Sequence, residues 1–283
     1  MFEVFGLRNA VVGLAAVMAT TLLAPAIAAG CGSATPCMVD GGEYRIALPP
    51  KTAEGQKTGA IVYFHGYRGS AEGVMANKGL MQVAKDLSVA LISPHGDGRT
   101  WSFPGSPSQR RDEFAFVEAV MADALARFPI DPDRVMASGF SMGGSMVWFL
   151  ACQAPARFAG YAPIAGAFWE PLPEACELAP PALAHLFHVH GRTDTVVPLA
   201  GRPIANGRAH QGDTFKSIDV WLRPLGADIA KSSYPDGKLD CAFWTPAGDG
   251  GIELCLHGGG HSMRPAWVAR AWGKLAAAKG WKG

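Results

Sequence analysis

The pentapeptide Gly139-Phe140-Ser141-Met142-Gly143 constrains this chain more than any other stretch. It follows a short β-prone run, residues 134–138, and precedes an apolar run, residues 145–151, that reads as a buried helix. Between a strand and a helix, Gly-x-Ser-x-Gly makes a turn so sharp that its serine is strained, with the hydroxyl exposed above a sheet. Glycines on either side let the two backbones pass closely. The helix N-terminus then directs free N–H groups and partial positive charge at an oxygen anion formed during acyl transfer. With 35 glycines in the chain, a chance match is the competing reading, so the motif needs support from its surroundings.

That support comes from the order of elements. Residues 43–48 alternate like an antiparallel strand, and residues 60–64 form a continuous apolar run suited to a strand buried on both faces. Residues 73–87 read as a helix, 89–93 as the next strand, and 109–128 as a long amphipathic helix ended by Pro129 and Pro132. Strands are expected at 158–164 and 184–189, then a loop-rich region with a helix at 214–222. Two β-prone runs, 241–244 and 252–255, and a helix at 265–278 close the chain. Alternation of this kind predicts an α/β fold: a mostly parallel, doubly wound sheet with helices on both faces.

Residues 1–29 have the pattern of an export signal. Arg8 supplies the positive end, residues 10–23 are apolar, and Ala26-Ile27-Ala28 offers a small-x-small cleavage site. The apolar run is shorter than the roughly 20 residues that span a bilayer, which disfavours a membrane anchor. Lipidation at Cys31 lacks the large aliphatic residue usually found three places earlier. Six cysteines, none in a metal-ligand spacing, fit an oxidising compartment, and nearest-neighbour pairing predicts Cys31–Cys37, Cys152–Cys176 and Cys241–Cys255. The protein is therefore expected to be secreted or periplasmic, with residues 30–283 forming one catalytic domain. A formal charge of +1 and 17% charged residues argue against a nucleic-acid partner, or a membrane partner once the signal is cleaved.

A serine nucleophile needs a base, and the base needs a carboxylate to orient it. In chain order Ser, acid, His, the best acid is Asp194 in His190-Gly191-Arg192-Thr193-Asp194, just beyond an apolar strand. A turn aspartate is its plainer role; Asp213 and Asp219 are rivals that follow no convincing strand. Of eight histidines, His261 is preferred, because Gly258-Gly259-Gly260 makes a flexible loop ahead of the last helix, with His257 as runner-up. His185, His188 and His190 read as strand residues, packed or supporting, and supply no metal site of familiar spacing. An oxyanion hole would use the N–H of Met142 and one from the loop after the 60–64 strand, Tyr67, with Gly66 as the fallback.

Taken together, His65-Gly66, Ile130-Asp131-Pro132-Asp133-Arg134-Val135, Gly139-Phe140-Ser141-Met142-Gly143-Gly144, His190-Gly191-Arg192-Thr193-Asp194 and Gly258-Gly259-Gly260-His261 resemble the secreted polyhydroxybutyrate depolymerase-like and feruloyl or acetylxylan esterase group of α/β-hydrolases. The resemblance implies an α/β-hydrolase fold and a serine esterase without cofactor or metal. It carries the nucleophile onto Ser141, the acid onto Asp194 and the base onto His261. The substrate it implies is a carboxylic ester, whether a small molecule, a polysaccharide-linked ester or a polyester. In that group the glycine-histidine loop often continues Thr-Trp-Pro-Gly, whereas here it continues Ser262-Met263-Arg264-Pro265, which removes an aromatic beside the base. Trp101, after Asp97-Gly98-Arg99-Thr100, is the candidate for lining an acyl or aromatic pocket, against a packing role. Competing functions are a serine peptidase on the same fold, usually with a gating domain for which there is no room, and a secreted binding protein on an inactive scaffold.

Overall fold

The computed structural model describes residues 1–2, 30–50, 55–177, 185–226, 229–246 and 250–281. The export signal expected over residues 1–29 therefore lies, but for Met1 and Phe2, outside the described residues.

Thr58–Phe64 (β3) explains why the sheet forms where it does. All seven residues are buried, and alternate side chains serve opposite faces: Ala60, Val62 and Phe64 join one core, Ile61 and Tyr63 the other. Parallel neighbours extend from it on both sides. They are Ala90–Pro94 (β4), Ile130–Phe140 (β5), Gly160–Ile164 (β6), His185–Gly191 (β8) and Gly251–His257 (β13), in the spatial order β4-β3-β5-β6-β8-β13. Antiparallel strands complete a ten-stranded sheet at both ends. Cys37–Val39 (β1) and Gly42–Ala47 (β2) flank β4, while Leu239–Pro246 (β12) and Ile229–Asp236 (β11) follow β13.

One face is covered by Glu113–Arg127 (α3), Met142–Gln153 (α4) and Thr214–Leu222 (α5). The other carries Ala71–Met75 (α1), Lys78–Asp86 (α2) and Pro265–Lys279 (α6). Every residue of α4 from Met142 to Cys152 is buried, as expected of a helix with no polar stripe. Each disulfide pairs nearest neighbours as expected: Cys31–Cys37, Cys152–Cys176 and Cys241–Cys255. The last joins residues directly opposite each other on β12 and β13.

Three expectations are corrected. The helix expected over 73–87 is two helices, because the Asn77 side chain accepts from Leu80 N–H at 3.0 Å and starts α2 afresh. The helix expected from 109 begins at Glu113, since Asp112 caps it and Gln109 is held by the Phe103 and Ser106 carbonyls. Strands the sequence did not reveal lie in the loop-rich region and ahead of it: Arg202–Ile204 (β9) and Ala209–Gln211 (β10) join Trp169–Glu170 (β7) in a separate three-stranded sheet, ordered β7-β10-β9.

Candidate active site

Ser141 stands between β5 and α4 with φ 57° and ψ −122°, a conformation that costs a non-glycine residue about 1–3 kcal/mol. Its backbone is held by Ser141 N–H to the Ile164 carbonyl at 2.9 Å and Ser145 N–H to the Ser141 carbonyl at 2.9 Å. Gly143 faces the Phe64 and His65 carbonyls so closely that no Cβ fits, which is what brings the β3 loop beside the elbow. The Ser141 hydroxyl makes no capping bond to α4. It opens on a cleft of about 720 Å³ whose wall includes Met142, Tyr67 and Trp169.

The loops after β8 and β13 come together because the two strands pair in parallel, with Gly191 opposite His257. At Gly191 a side chain would collide with the Gly259 and Gly260 carbonyls, so this glycine permits the approach. Backbone bonds lace the loops together: Arg192 N–H to the His257 carbonyl at 2.9 Å and Thr193 N–H to the Gly259 carbonyl at 3.2 Å. Across this seam His261 Nδ1 donates to Asp194 Oδ2 at 2.7 Å. That leaves His261 Nε2 as the ring's lone pair. The ring lies against Phe140, the residue before the serine, at 4.6 Å between centroids.

Asp194 is buried, and burial by itself raises its carboxyl. Donors from His190, His261 and Val197 N–H outweigh it and hold the carboxyl well below the usual carboxylate range. Oδ1 accepts from Val196 N–H and Val197 N–H, both at 2.8 Å. The turn-capping role and the contact with histidine thus fall on different oxygens of one side chain. Behind it lies a buried row of strand histidines in the supporting position that was one of their two expected roles: His188 Nε2 is 2.9 Å from His190 Nδ1. In turn, His190 Nε2 is 2.7 Å from the Val197 carbonyl and 3.5 Å from Asp194 Oδ2.

The rivals are engaged elsewhere. Asp213 caps α5 by accepting from Phe215 and Lys216 N–H, and Asp219 is exposed on that helix. His257 Nδ1 accepts from Gly259 N–H, and its ring packs on Trp267 at 4.8 Å. Among the described residues, Cys241, Glu253 and Cys255 bring potential metal-ligand atoms within 4.8 Å, but both sulfurs are spent in a disulfide.

Tyr67 is exposed at the mouth of the cleft, in a loop where Gly66 approaches Phe140 and Ser141. His65 secures that loop from below. Gly96 N–H donates to its Nε2 at 3.0 Å, so its Nδ1–H is left to donate to the Gly66 carbonyl at 2.9 Å. Trp101 does not line the cleft. It is fully buried, its indole N–H donates to the His65 carbonyl at 2.8 Å, and its ring packs edge-on against Phe64. The tryptophan on the cleft wall, among the described residues, is Trp169, fixed by its N–H to Ser145 Oγ at 3.1 Å.

The esterase family model, described as "Putative esterase", matches residues 41–214. The chain belongs to this esterase family. It is a carboxylic ester hydrolase, and the match runs from β2 to the start of α5, including the Ser141 elbow and Asp194. The chain is 29% identical over 235 residues to "Putative esterase NocK" of Nocardia uniformis, covering 75% of this chain and 67% of that protein. It is 24% identical over 271 residues to a probable feruloyl esterase C of Aspergillus clavatus, covering 92% and 94%. Acetyl xylan esterase from Aspergillus awamori superposes with a TM-score of 0.60 at 14% identity, over 82% of this chain and 93% of that one. The esterase thus has the α/β-hydrolase fold, as expected from its sequence.

Proposed function

We propose that the esterase is secreted or periplasmic and cleaves its ester through a Ser141–His261–Asp194 triad and an acyl-enzyme, with residues 30–283 as one catalytic domain. The observation that carries this reading is the 2.7 Å bond from His261 Nδ1 to Asp194 Oδ2, made by a ring that lies against Phe140, the residue before the strained Ser141. His261 Nε2 takes the Ser141 proton as Oγ attacks the ester carbonyl. The N–H groups of Met142 and Tyr67 hold the oxyanion, and the imidazolium returns its proton to the departing alcohol. Water, deprotonated by the same nitrogen, then releases the acid and restores the serine. Asp194 keeps the proton on Nδ1 and stabilises the imidazolium. Three disulfides and the pattern of residues 1–29 support an oxidising compartment.

The substrate favoured by the named relatives is a feruloyl or acetyl ester of a plant-wall polysaccharide. The test is hydrolysis of methyl ferulate and of a 3-hydroxybutyrate oligomer by purified mature protein, with Ser141→Ala as the blank. Turnover of the ferulate, reduced on the order of 10⁶-fold by Ser141→Ala, is expected. Preference for the oligomer would redirect the substrate assignment to polyesters, and near-native activity in Ser141→Ala would end the triad reading.

A further inference from the structure

The cleft beside Ser141 has an unusual charge pattern. Arg110, Arg202 and Arg208 stand on its wall, and among the described residues no aspartate or glutamate does. Elsewhere Arg111, Arg127, Arg157, Arg192 and Arg270 each meet a carboxylate, but none of the three cleft arginines has an ion pair among the described residues.

Their placement is fixed by their surroundings. Arg202 starts β9, and its Nε donates to the Val196 carbonyl at 3.0 Å and to Gln211 Oε1 at 3.3 Å. Arg208, just before β10, is tied through Nε to the Ala205 carbonyl at 3.1 Å. In both, the bond at Nε sets the guanidinium, while the terminal amino groups have no acceptor among the described residues. Arg110 reaches the cleft from the loop before α3 and lies over Gly98, where a side chain would come within 2.8 Å of its Cζ and Nε. Three planar cations therefore share one cavity with the proposed nucleophile. Two of them present unspent N–H pairs, the geometry that grips the two oxygens of a carboxylate.

We propose that the preferred substrates are esters whose acyl or alcohol part carries a carboxylate, bound by Arg202, Arg208 and Arg110 in the cleft that holds Ser141. This rests on reading Ser141 as the nucleophile. The three arginines are exposed on the cleft wall, where their local field concentrates an anionic substrate beside Ser141.

Two matched pairs of esters test it on the purified protein. Mono-4-nitrophenyl adipate against methyl 4-nitrophenyl adipate places the charge on the acyl side. The acetate ester of 4-hydroxyphenylacetic acid against that of its methyl ester places it on the alcohol side, read as release of the phenol. Rates are corrected with Ser141→Ala. The expected result is about tenfold higher kcat/KM for the charged member of at least one pair, expressed mainly in KM and shrinking as salt is raised. In Arg202→Gln/Arg208→Gln, and separately in Arg110→Gln, the charged-to-neutral ratio should fall toward unity. Equal or reversed kcat/KM in both pairs, with the neutral members cleaved, overturns the proposal while sparing the triad. Cleavage of none of the four esters above the Ser141→Ala blank overturns the triad reading and this proposal with it.

Discussion

The indole N–H of Trp148 donates to His188 Nδ1 at 3.2 Å in the core beneath the site. Because an indole nitrogen can only donate, His188 must carry its proton on Nε2 and pass it toward His190 Nδ1. His190 in turn has its proton on Nε2, facing the Val197 carbonyl and Asp194. Three buried rings therefore point their donors one way, and the row ends at the carboxylate that faces His261. Burial, reinforced by His190, keeps the His188 imidazole well below the ordinary histidine range, so His188 stays neutral.

Asp194→Asn should lower kcat by about 10⁴, since an amide can no longer fix the His261 tautomer. It also changes stability. The folded carboxyl sits below its unfolded value of about 3.9, so its contribution is complete above that pH and is lost as pH falls through the depressed folded value. Thermal unfolding of the two proteins should differ most near neutrality and converge in strong acid. A constant gap at all pH would contradict the assignment.

Ser141→Gly should be more stable than Ser141→Ala by about 1 kcal/mol, although the proposed mechanism predicts that neither turns over ester. Glycine adopts φ 57° without a Cβ penalty, whereas alanine inherits the strain of the serine. Urea midpoints of the two variants decide it, and equal midpoints would mean that the elbow stores no strain.

Acid should weaken the fold through His65, whose imidazole is pushed down to about 4, chiefly by burial and further by the nearby His95, Arg99 and Arg111. The unfolded chain protonates this residue near pH 6.5. Stability is thus fully present above about pH 6.5 and falls by up to about 1.4 kcal/mol per unit as pH drops toward 4. Protonation would also cost Gly96 its acceptor on Nε2. His65→Gln should flatten the dependence of the urea midpoint between these limits; an unchanged slope would assign the acid sensitivity elsewhere.

Trp101→Phe should cost about 1–3 kcal/mol of stability by leaving the buried His65 carbonyl without its donor. If the loop above it supplies the Tyr67 N–H to the oxyanion, kcat should fall with KM little changed, because that contact matters most in the transition state. Wild-type kcat in the folded variant would separate the loop from catalysis.

What could be read from the chain was what local rules govern. The Ser141 elbow, the helix at 214–222, the cysteine pairs and the Gly191–Asp194 turn each rest on neighbours in sequence. Asn77 was equally readable as a cap, yet the periodicity on either side hid it. Other features depend on partners far away. Strand β7 has only two residues, and β9 contains Pro203, so neither shows a period. Trp101 became a support and Trp169 a wall only when β3, α4 and the small sheet were assembled. The three cleft arginines likewise lie in loops and on short strands whose common cavity no spacing announces.

Strand β11 is the last of the large sheet, and its outer backbone edge is where a second chain could pair. That edge carries Lys231, Ser232 and Ser233 on exposed positions and, one residue before its end, Pro235, which has no N–H to offer a newcomer. A sheet ten strands wide is a template for indefinite growth, and this rim keeps the addition of an eleventh strand unfavourable. An esterase with such a rim would stay dispersed at high concentration because its outermost strand refuses a partner.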